Sequence, residues 1–300
     1  MTIEAKVISD SVSPEGVRIT TMQLRYPRFI HAEFMTHRVF SRNASSSRAI
    51  PVERMIEDLR RDPAMPVFWG SNKPGMQAGG ELGPEHVHGC KQTWLAAMQM
   101  AVMNAEVLIA NGLHKQIANR LLEPWAHINV VVTATEWDNF FELRAHPDAQ
   151  PEIHALALEM INAMAGSQPR HLKPGEWHLP FADRPEDIEQ AKAQITHNGV
   201  LRVVPADWQV NEILRKVSVA RCARVSFLTH DGRETTLEED QKLYERLVGS
   251  KPIHASPAEH QGTPDEGIQQ GFNVTWMKPH LHGNFKGWIQ HRKVLELEVQ

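Results

Sequence analysis

The sequence predicts a mixed α/β protein, and three observations carry that prediction. Apolar and polar residues alternate loosely across residues 17–24. A β-branched run, Val130-Val131-Val132-Thr133, lies within residues 127–133. Around these, apolar positions recur at helical spacing in residues 52–61, 94–109 and 153–164. Period two marks a half-buried strand, an unbroken β-branched run marks a strand covered on both faces, and three-four spacing marks a helix with one apolar side. At 300 residues and 41% hydrophobic content, the chain can form one large domain or two ordinary ones around a sizeable core.

In chain order, Val17, Ile19 and Met22 supply the apolar positions of the first strand, which Tyr26-Pro27 closes and which opens the ordered chain. The apolar run 29–35 then leads into Thr36-His37-Arg38-Val39-Phe40-Ser41-Arg42-Asn43-Ala44-Ser45-Ser46-Ser47-Arg48. After Pro51, a short helix places Val52, Met55, Ile56 and Leu59 on one face. Residues 63–84 are rich in breakers and predict a loop. His86, His88 and Cys90 are zinc-ligand types, but no second ligand pair stands at zinc-site spacing and the cluster opens a helix, so no metal is expected.

Trp94, Leu95, Met98, Val102, Ala105, Leu108 and Ile109 predict a long core helix, ended by Asn111-Gly112. Beyond the strand at 127–133 come a helix over 139–144 and another from Pro151, with Asp148 as its expected N-cap. Ile153, Leu156, Ala157, Met160, Ile161 and Met164 form its apolar side. A Pro-, Gly- and Lys-rich stretch at 167–180 divides the chain, which we read as a binding part at 1–166, a linker at 167–210 with a helix over 185–195, and a C-terminal part at 211–300.

Composition bounds the function. A net charge of -4 and a pI near 6.5 give no general attraction to nucleic acid or an anionic membrane, so a basic site must be local and its ligand a small anion. Cys90 and Cys222 form no disulfide framework, residues 1–13 lack a signal-peptide layout, and no apolar run approaches the roughly 20 residues that span a bilayer. A reducing cytoplasm is the expectation.

The stretch 36–48 holds three arginines, a histidine, an asparagine and four serines. Arginine forks fit phosphate or carboxylate, and serine hydroxyls fill the remaining lone pairs; the alternative is a solvated basic loop. Its spacing, His-Arg-x-x-Ser-x-Asn-x-x-Ser-x-Arg, resembles the signature of the flavin-dependent thymidylate synthases. So do Ile117–Pro124, with Arg120, and Asn139-Phe140-x-x-Leu143-Arg144 followed by Ala149-Gln150-Pro151-Glu152-Ile153. Ala223-Arg224-Val225-Ser226 and His254-Ala255-Ser256-Pro257-Ala258-Glu259-His260 resemble two further motifs of that family, which there precede the His-Arg motif and here follow it.

The resemblance implies an α+β fold with a central antiparallel sheet and surrounding helices, assembled as a homotetramer with flavin sites between subunits. It implies FAD as cofactor, with NADPH and methylenetetrahydrofolate as co-substrates. His37, Arg38, Val39, Asn139, Leu143, Ser226, His254, Ser256 and Glu259 would contact the flavin. Glu33, Ser46, Ser47, Arg48, Arg120 and Arg144 would bind the nucleotide, with Arg144 and Ser46 taking the catalytic positions. Thr36, Ala44, Thr133 and Thr135 depart from the pattern, three of them at cofactor positions. The order of motifs implies a circular permutation with new termini at the strand near residue 17, a change tolerated where termini lie close together at the surface.

At the C-terminus, Trp276-Met277-Lys278-Pro279 and residues 284–292, ending Gln290-His291-Arg292, partly repeat the approach to His37-Arg38. This tail is either a relic of duplication able to contact flavin or a chance Gln-His-Arg in a short helix.

The implied activity is one-carbon transfer to position 5 of dUMP with reduction through FAD, giving dTMP. No nucleophile with a base partner is visible, so binding and charge carry the protein's part. Glu33 and Ala44 leave open a hydroxymethylase of dCMP or dUMP, because a glutamate can accept from an exocyclic amine. The loss of three cofactor contacts leaves open a non-catalytic nucleotide-binding homologue.

Overall fold

The residues that alternate or run apolar in the sequence build one sheet covered on both faces. This computed structural model describes residues 3–198, 205–229, 232–271 and 273–298. Strand β1 (Glu4–Val12) pairs antiparallel with β2 (Arg18–Pro27), so the strand expected to open the chain is in fact the second one. β1 escaped the sequence reading because Glu4, Lys6, Ser9, Asp10 and Ser11 dilute its apolar positions. After a turn of 3-10 helix come α1 (His31–Phe34), β3 (Ser41–Ala44) and α2 (Val52–Arg61), then α3 (Pro84–Ala110) and α4 (Lys115–Ala118).

β4 (His127–Ala134) is followed by α5 (Asp138–Arg144), α6 (Pro151–Ala165) and β5 (Arg170–His171). The sheet order among these strands is β3-β4-β2-β1-β5, antiparallel throughout except that β5 runs parallel to β1.

β4 is apolar on both sides because both sides are covered. Val130 and Val132 pack with Met22, Leu24 and Tyr26 against Ile153, Leu156 and Met160 of α6. Val131, between them, faces the opposite way onto Phe181, Cys222 and Val225. Each such buried aliphatic side chain contributes about 1.5–3 kcal/mol. The N-cap of α6 is Gln150, whose side chain accepts from the Ile153 amide at 3.2 Å, and not Asp148; Pro151 at N1 sets the register.

α2 and α3 pack through Val52, Met55, Ile56 and Leu59 on Met98, Val102 and Ala105. α3 is not the core helix expected. Only that stripe is buried, and Met100, Met103 and Val107 are each more than half exposed. Contrary to the sequence reading, α3 is long and apolar enough, by length and composition, to cross a membrane.

The stretch read as a linker carries α7 (Pro185–Asn198) and leads to α8 (Asp207–Arg224) and α9 (Leu237–Leu247). Leu179, Ala182, Ala191, Leu214, Val217 and Leu237 close this layer. Arg221, fully buried on α8, bonds Asp187 and Asp240 at 2.8 Å each and the Phe181 carbonyl at 2.6 Å. Its fork meets carboxylates on two elements, which offsets the desolvation of the charges and fixes the layer's register.

The tail forms β6 (Gly262–Pro264), β7 (Gly267–Gln270), β8 (Asn273–Trp276), β9 (Trp288–Gln290) and α10 (His291–Glu298). β9 pairs with β6, and fully buried Trp288 packs on Ile19 and Leu172 while donating to the Val17 carbonyl at 3.1 Å. Gly287 holds φ +69° beside the Trp276 ring, where a Cβ would lie 2.6 Å from the nearest ring carbon.

Candidate active site

α1 ends in a loop held by Arg42, which donates to the carbonyls of Met35 at 2.9 Å and His37 at 2.7 Å. Phe40 anchors the loop among Phe34, Trp137 and Phe140. These contacts bury His37 edge-on against Phe140, with centroids 4.8 Å apart. Arg144, at the end of α5, donates its Nε to His37 Nε2 at 3.0 Å, so the imidazole accepts there and is neutral. Burial, and then the charges of Arg144 and Arg42, hold its pKa below the ordinary value. Arg144 also lies 3.7 Å from the Glu33 carboxylate and 3.5 Å from the Thr36 hydroxyl. Glu33, Thr36, His37 and Arg144 are therefore one cluster.

Beside it opens a cavity of about 770 Å³ lined by His37, Val39, Trp137, Asn139, Phe140 and Lys286, among others. Three of the expected cofactor residues, His37, Val39 and Asn139, meet there. Arg38 and Leu143 are exposed nearby on the loop and on α5.

The nucleotide motif's far end sits at the other end of β3. Buried Ser47 donates to Glu123 at 2.6 Å, and the same carboxylate receives Arg120 at 2.8 Å and Arg28 at 3.1 Å. Asn119 donates to the carbonyls of Ser47 at 2.7 Å and Ile50 at 3.0 Å. Ser46 and Arg48 are exposed, the Ser46 hydroxyl accepting from the Arg48 amide at 3.3 Å. Ser47, Arg120 and Arg28 thus gather around Glu123, with Arg48 exposed nearby in sequence, while Glu33 and Arg144 gather around His37. β3 pairs Ser41 with Thr133 and Ala44 with Val130, which separates the two groups along the strand.

The later motifs reach β3 from the side. A 3-10 turn, Ser256–Glu259, lies against it, with Ser256 Oγ 3.5 Å from the Asn43 amide. Glu259 pairs with Arg292, and its carbonyl accepts from Gln290 at 3.0 Å. His254 is exposed and donates its backbone N–H to Leu247 at 2.7 Å. Ser226 Oγ accepts from the Leu228 amide at 3.0 Å. Just before it, Val225 caps α8 at φ +61°, a costly conformation for a β-branched residue, held in place by Gln23, which donates to its carbonyl at 2.6 Å.

The tail reaches the site, but not through the residues the sequence singled out. Asn284 donates to the Val39 carbonyl at 2.8 Å, and the Lys286 amide donates to Thr135 at 2.9 Å. His291 is buried edge-on to Trp177, with neither ring nitrogen hydrogen-bonded among the described residues, and it is not among the residues that line the cavity. Thr133 is fully buried and bonded to Thr21 at 2.7 Å and His260 at 2.8 Å, away from the cavity. Sequence reasoning assigned no role to Asn43, His260, Glu123 or Asn284. All four lie inside segments already quoted, Asn43 and His260 in two family motifs, Glu123 in Ile117–Pro124 and Asn284 at the start of the partial repeat 284–292, so a signal was available for each.

A family model described as thymidylate synthase complementing protein matches residues 13–170. This span holds the His37 loop, both ends of β3 and the segment through α6, while Ser226, Ser256 and Glu259 lie outside it. Two crystal structures of a UMP/dUMP methylase, PolB from Streptomyces cacaoi, are similar at 18% identity. The form bound with 5-Br UMP has a TM-score of 0.47 and covers 55% of this chain and 89% of its own. The form bound with 5-Br dUMP has a TM-score of 0.46 and covers 55% and 90%. No curated protein matches.

Proposed function

The chain belongs to the thymidylate synthase complementing protein family, the flavin-dependent thymidylate synthases, and from that premise we propose that it transfers a one-carbon unit to position 5 of dUMP to give dTMP. The observation that carries the reading is the Glu33, His37 and Arg144 cluster, whose His37 lines the cavity of about 770 Å³. Arg144 would pair with the uracil edge or the phosphate, and neutral His37 and Asn139 would orient the cofactor ring. Arg48, with Arg120 released from Glu123, would hold phosphate.

The lining fits FAD. Half-buried Phe141 and exposed Val39 offer apolar contact for a planar heterocycle, and Lys286 offers a cation for its phosphates. Bound there, FAD would supply reducing equivalents drawn from NADPH, and methylenetetrahydrofolate would supply the carbon. The chain's own work would be placement and exclusion of water, in keeping with a site where, among the described residues, no nucleophile is hydrogen-bonded to a base.

Because the nucleotide residues fall at two ends of β3, a second copy of the chain would complete each site, as a homotetramer does. The same reading takes the chain as circularly permuted, supported by the contact of Ser256 with Asn43, 213 residues earlier in sequence. Glu33, a carboxylate facing the cluster, favours one alternative: a pyrimidine bearing an exocyclic amine, hydroxymethylated as dCMP.

The test is the visible spectrum of the purified chain after FAD loading and desalting, followed by mass analysis of products from dUMP and dCMP. Retained flavin with dTMP formed supports the reading. No flavin in a folded protein would leave only a nucleotide-binding role.

A further inference from the structure

A line of buried polar groups crosses the sheet beneath the cofactor motifs. Ser11 Oγ stands 3.0 Å from His178 Nδ1, and His178 Nε2 stands 2.8 Å from Thr21 Oγ1. Thr21 meets Thr133 at 2.7 Å, Thr133 meets His260 Nδ1 at 2.8 Å, and His260 Nε2 meets the Asn43 amide at 3.1 Å. Ser11, His178, Thr21, Thr133 and His260 are fully buried. A neutral imidazole has one N–H and one lone pair, and a hydroxyl has one proton, so the chain is satisfied only if every bond points the same way.

Both ends select the same direction. At one end, the part of the Asn43 amide turned to His260 also faces the carbonyls of Ser256 and Arg42 at 3.1 Å each, so it is the NH2 group and donates. At the other end, the Ser9 hydroxyl donates to the Asp183 carboxylate at 3.3 Å while facing His178 Nδ1 at 3.4 Å, so it accepts from that nitrogen. Donation therefore runs from Asn43 to His260, Thr133, Thr21 and His178, then to Ser9 and Ser11, and ends on Asp183. Both histidines carry their proton on Nδ1. The Asn43 carbonyl is left facing Ser256 Oγ, where it accepts the hydroxyl proton and leaves the serine lone pairs outward.

We propose that His178 and His260 are positioning residues, joined by Thr21 and Thr133, that fix the Asn43 amide and through it the acceptor face of Ser256. The consequence for the ligand rests on the cofactor reading above; the relay itself does not. Thr133 stands where the sequence suggested a lost cofactor contact, and in this chain it is the central link of the relay.

The experiment uses the full chain labelled with 15N-histidine, with the two resonances assigned through His178→Gln and His260→Gln. The Nδ1–H form is expected at both histidines, and Nε2–H at either one overturns the proposal. Thr133→Val keeps the volume but removes the acceptor of His260 Nδ1–H. His260 should then change to Nε2–H as the Asn43 amide turns over, while His178, still held by Thr21 and Ser11, keeps Nδ1–H. FAD affinity should fall roughly tenfold, and Thr133→Ser should restore both readouts. An unchanged His260 tautomer in folded Thr133→Val overturns the proposal, and so does unchanged FAD affinity. If this variant does not fold, the tautomers of the unsubstituted chain decide. If the unsubstituted chain binds no FAD, the cofactor reading fails, and the relay still stands or falls on the tautomers alone.

Discussion

The two ends of β3 are built on opposite plans. Around Ser41–Asn43 the polar groups already have partners: Ser41 receives Asn284 and Gln290, Asn43 meets His260, and the neighbouring Arg42 holds the loop carbonyls. Around 45–48, Ser46 and Arg48 face outward and Arg120 is half exposed in a pair with Glu123. The first end is organised before any ligand arrives, which is what a reacting geometry requires. The second leaves its donors open to solvent, and under the proposed function these are the groups that would meet the nucleotide or another copy of the chain.

The largest effect that would break this contrast is acid unfolding. Burial pulls His178, His260 and His291 down to about 3, and burial with Arg25 pulls His127 down to about 4. Below the ordinary value near 6.5 the unfolded chain takes up protons that the folded chain refuses. The stability these neutral groups provide is therefore complete above pH 6.5 and is lost as pH falls, toward about 4 for His127 and toward about 3 for the other three. Each group contributes up to about 1.4 kcal/mol per pH unit. Urea unfolding at pH 7 and pH 5 should show the drop, and His260→Gln should make it shallower by one proton. A flat profile would mean that the buried end is not held by neutral histidines.

Next in size is Arg144→Ala, which removes charge-assisted contacts of about 1.5–3 kcal/mol and should weaken dUMP binding by roughly 10- to 150-fold. Calorimetric titration that finds no change would remove Arg144 from the nucleotide site. Arg48→Lys, at the open end, keeps the charge and loses the fork. We expect a loss of about tenfold for dUMP and none for FAD, and equal losses for both would show that the two ends are not separate sites. Smallest is Arg120→Ala. Its pair with Glu123 is half exposed, so unfolding stability should change by less than about 1 kcal/mol. A larger shift would make Arg120 part of the scaffold.

What could be foreseen followed from local pattern. The bounds of α2 were legible to the residue, since Pro51 sets its start and four apolar positions share one face. β4 was legible because three valines and a threonine in a row suit few other environments. β1 was not, because its register with β2 depends on pairing across the sheet. α3 was misjudged because an apolar repeat shows that a helix has an apolar face without showing what covers it. Near His37, the structure brings together Glu33 and Arg144, two residues that the motifs had singled out separately. The motifs gave no sign that Ser47 and Arg120 would share Glu123, or that His291 would be buried.

By itself the sequence determined the family, the mixed α/β class and the position of the His-Arg loop after an apolar strand, because these rest on short-range spacing that a motif or a period records. Only the tertiary structure decided which polar groups are buried together. Ser11, Thr21, Asn43, Thr133, His178 and His260 are scattered along the chain, and each taken alone is an ordinary polar residue. Burial removes water from all of them but half-buried Asn43, and it leaves them to bond one another and the groups at the two ends of the line, Ser9 and Asp183 on one side and Ser256 on the other.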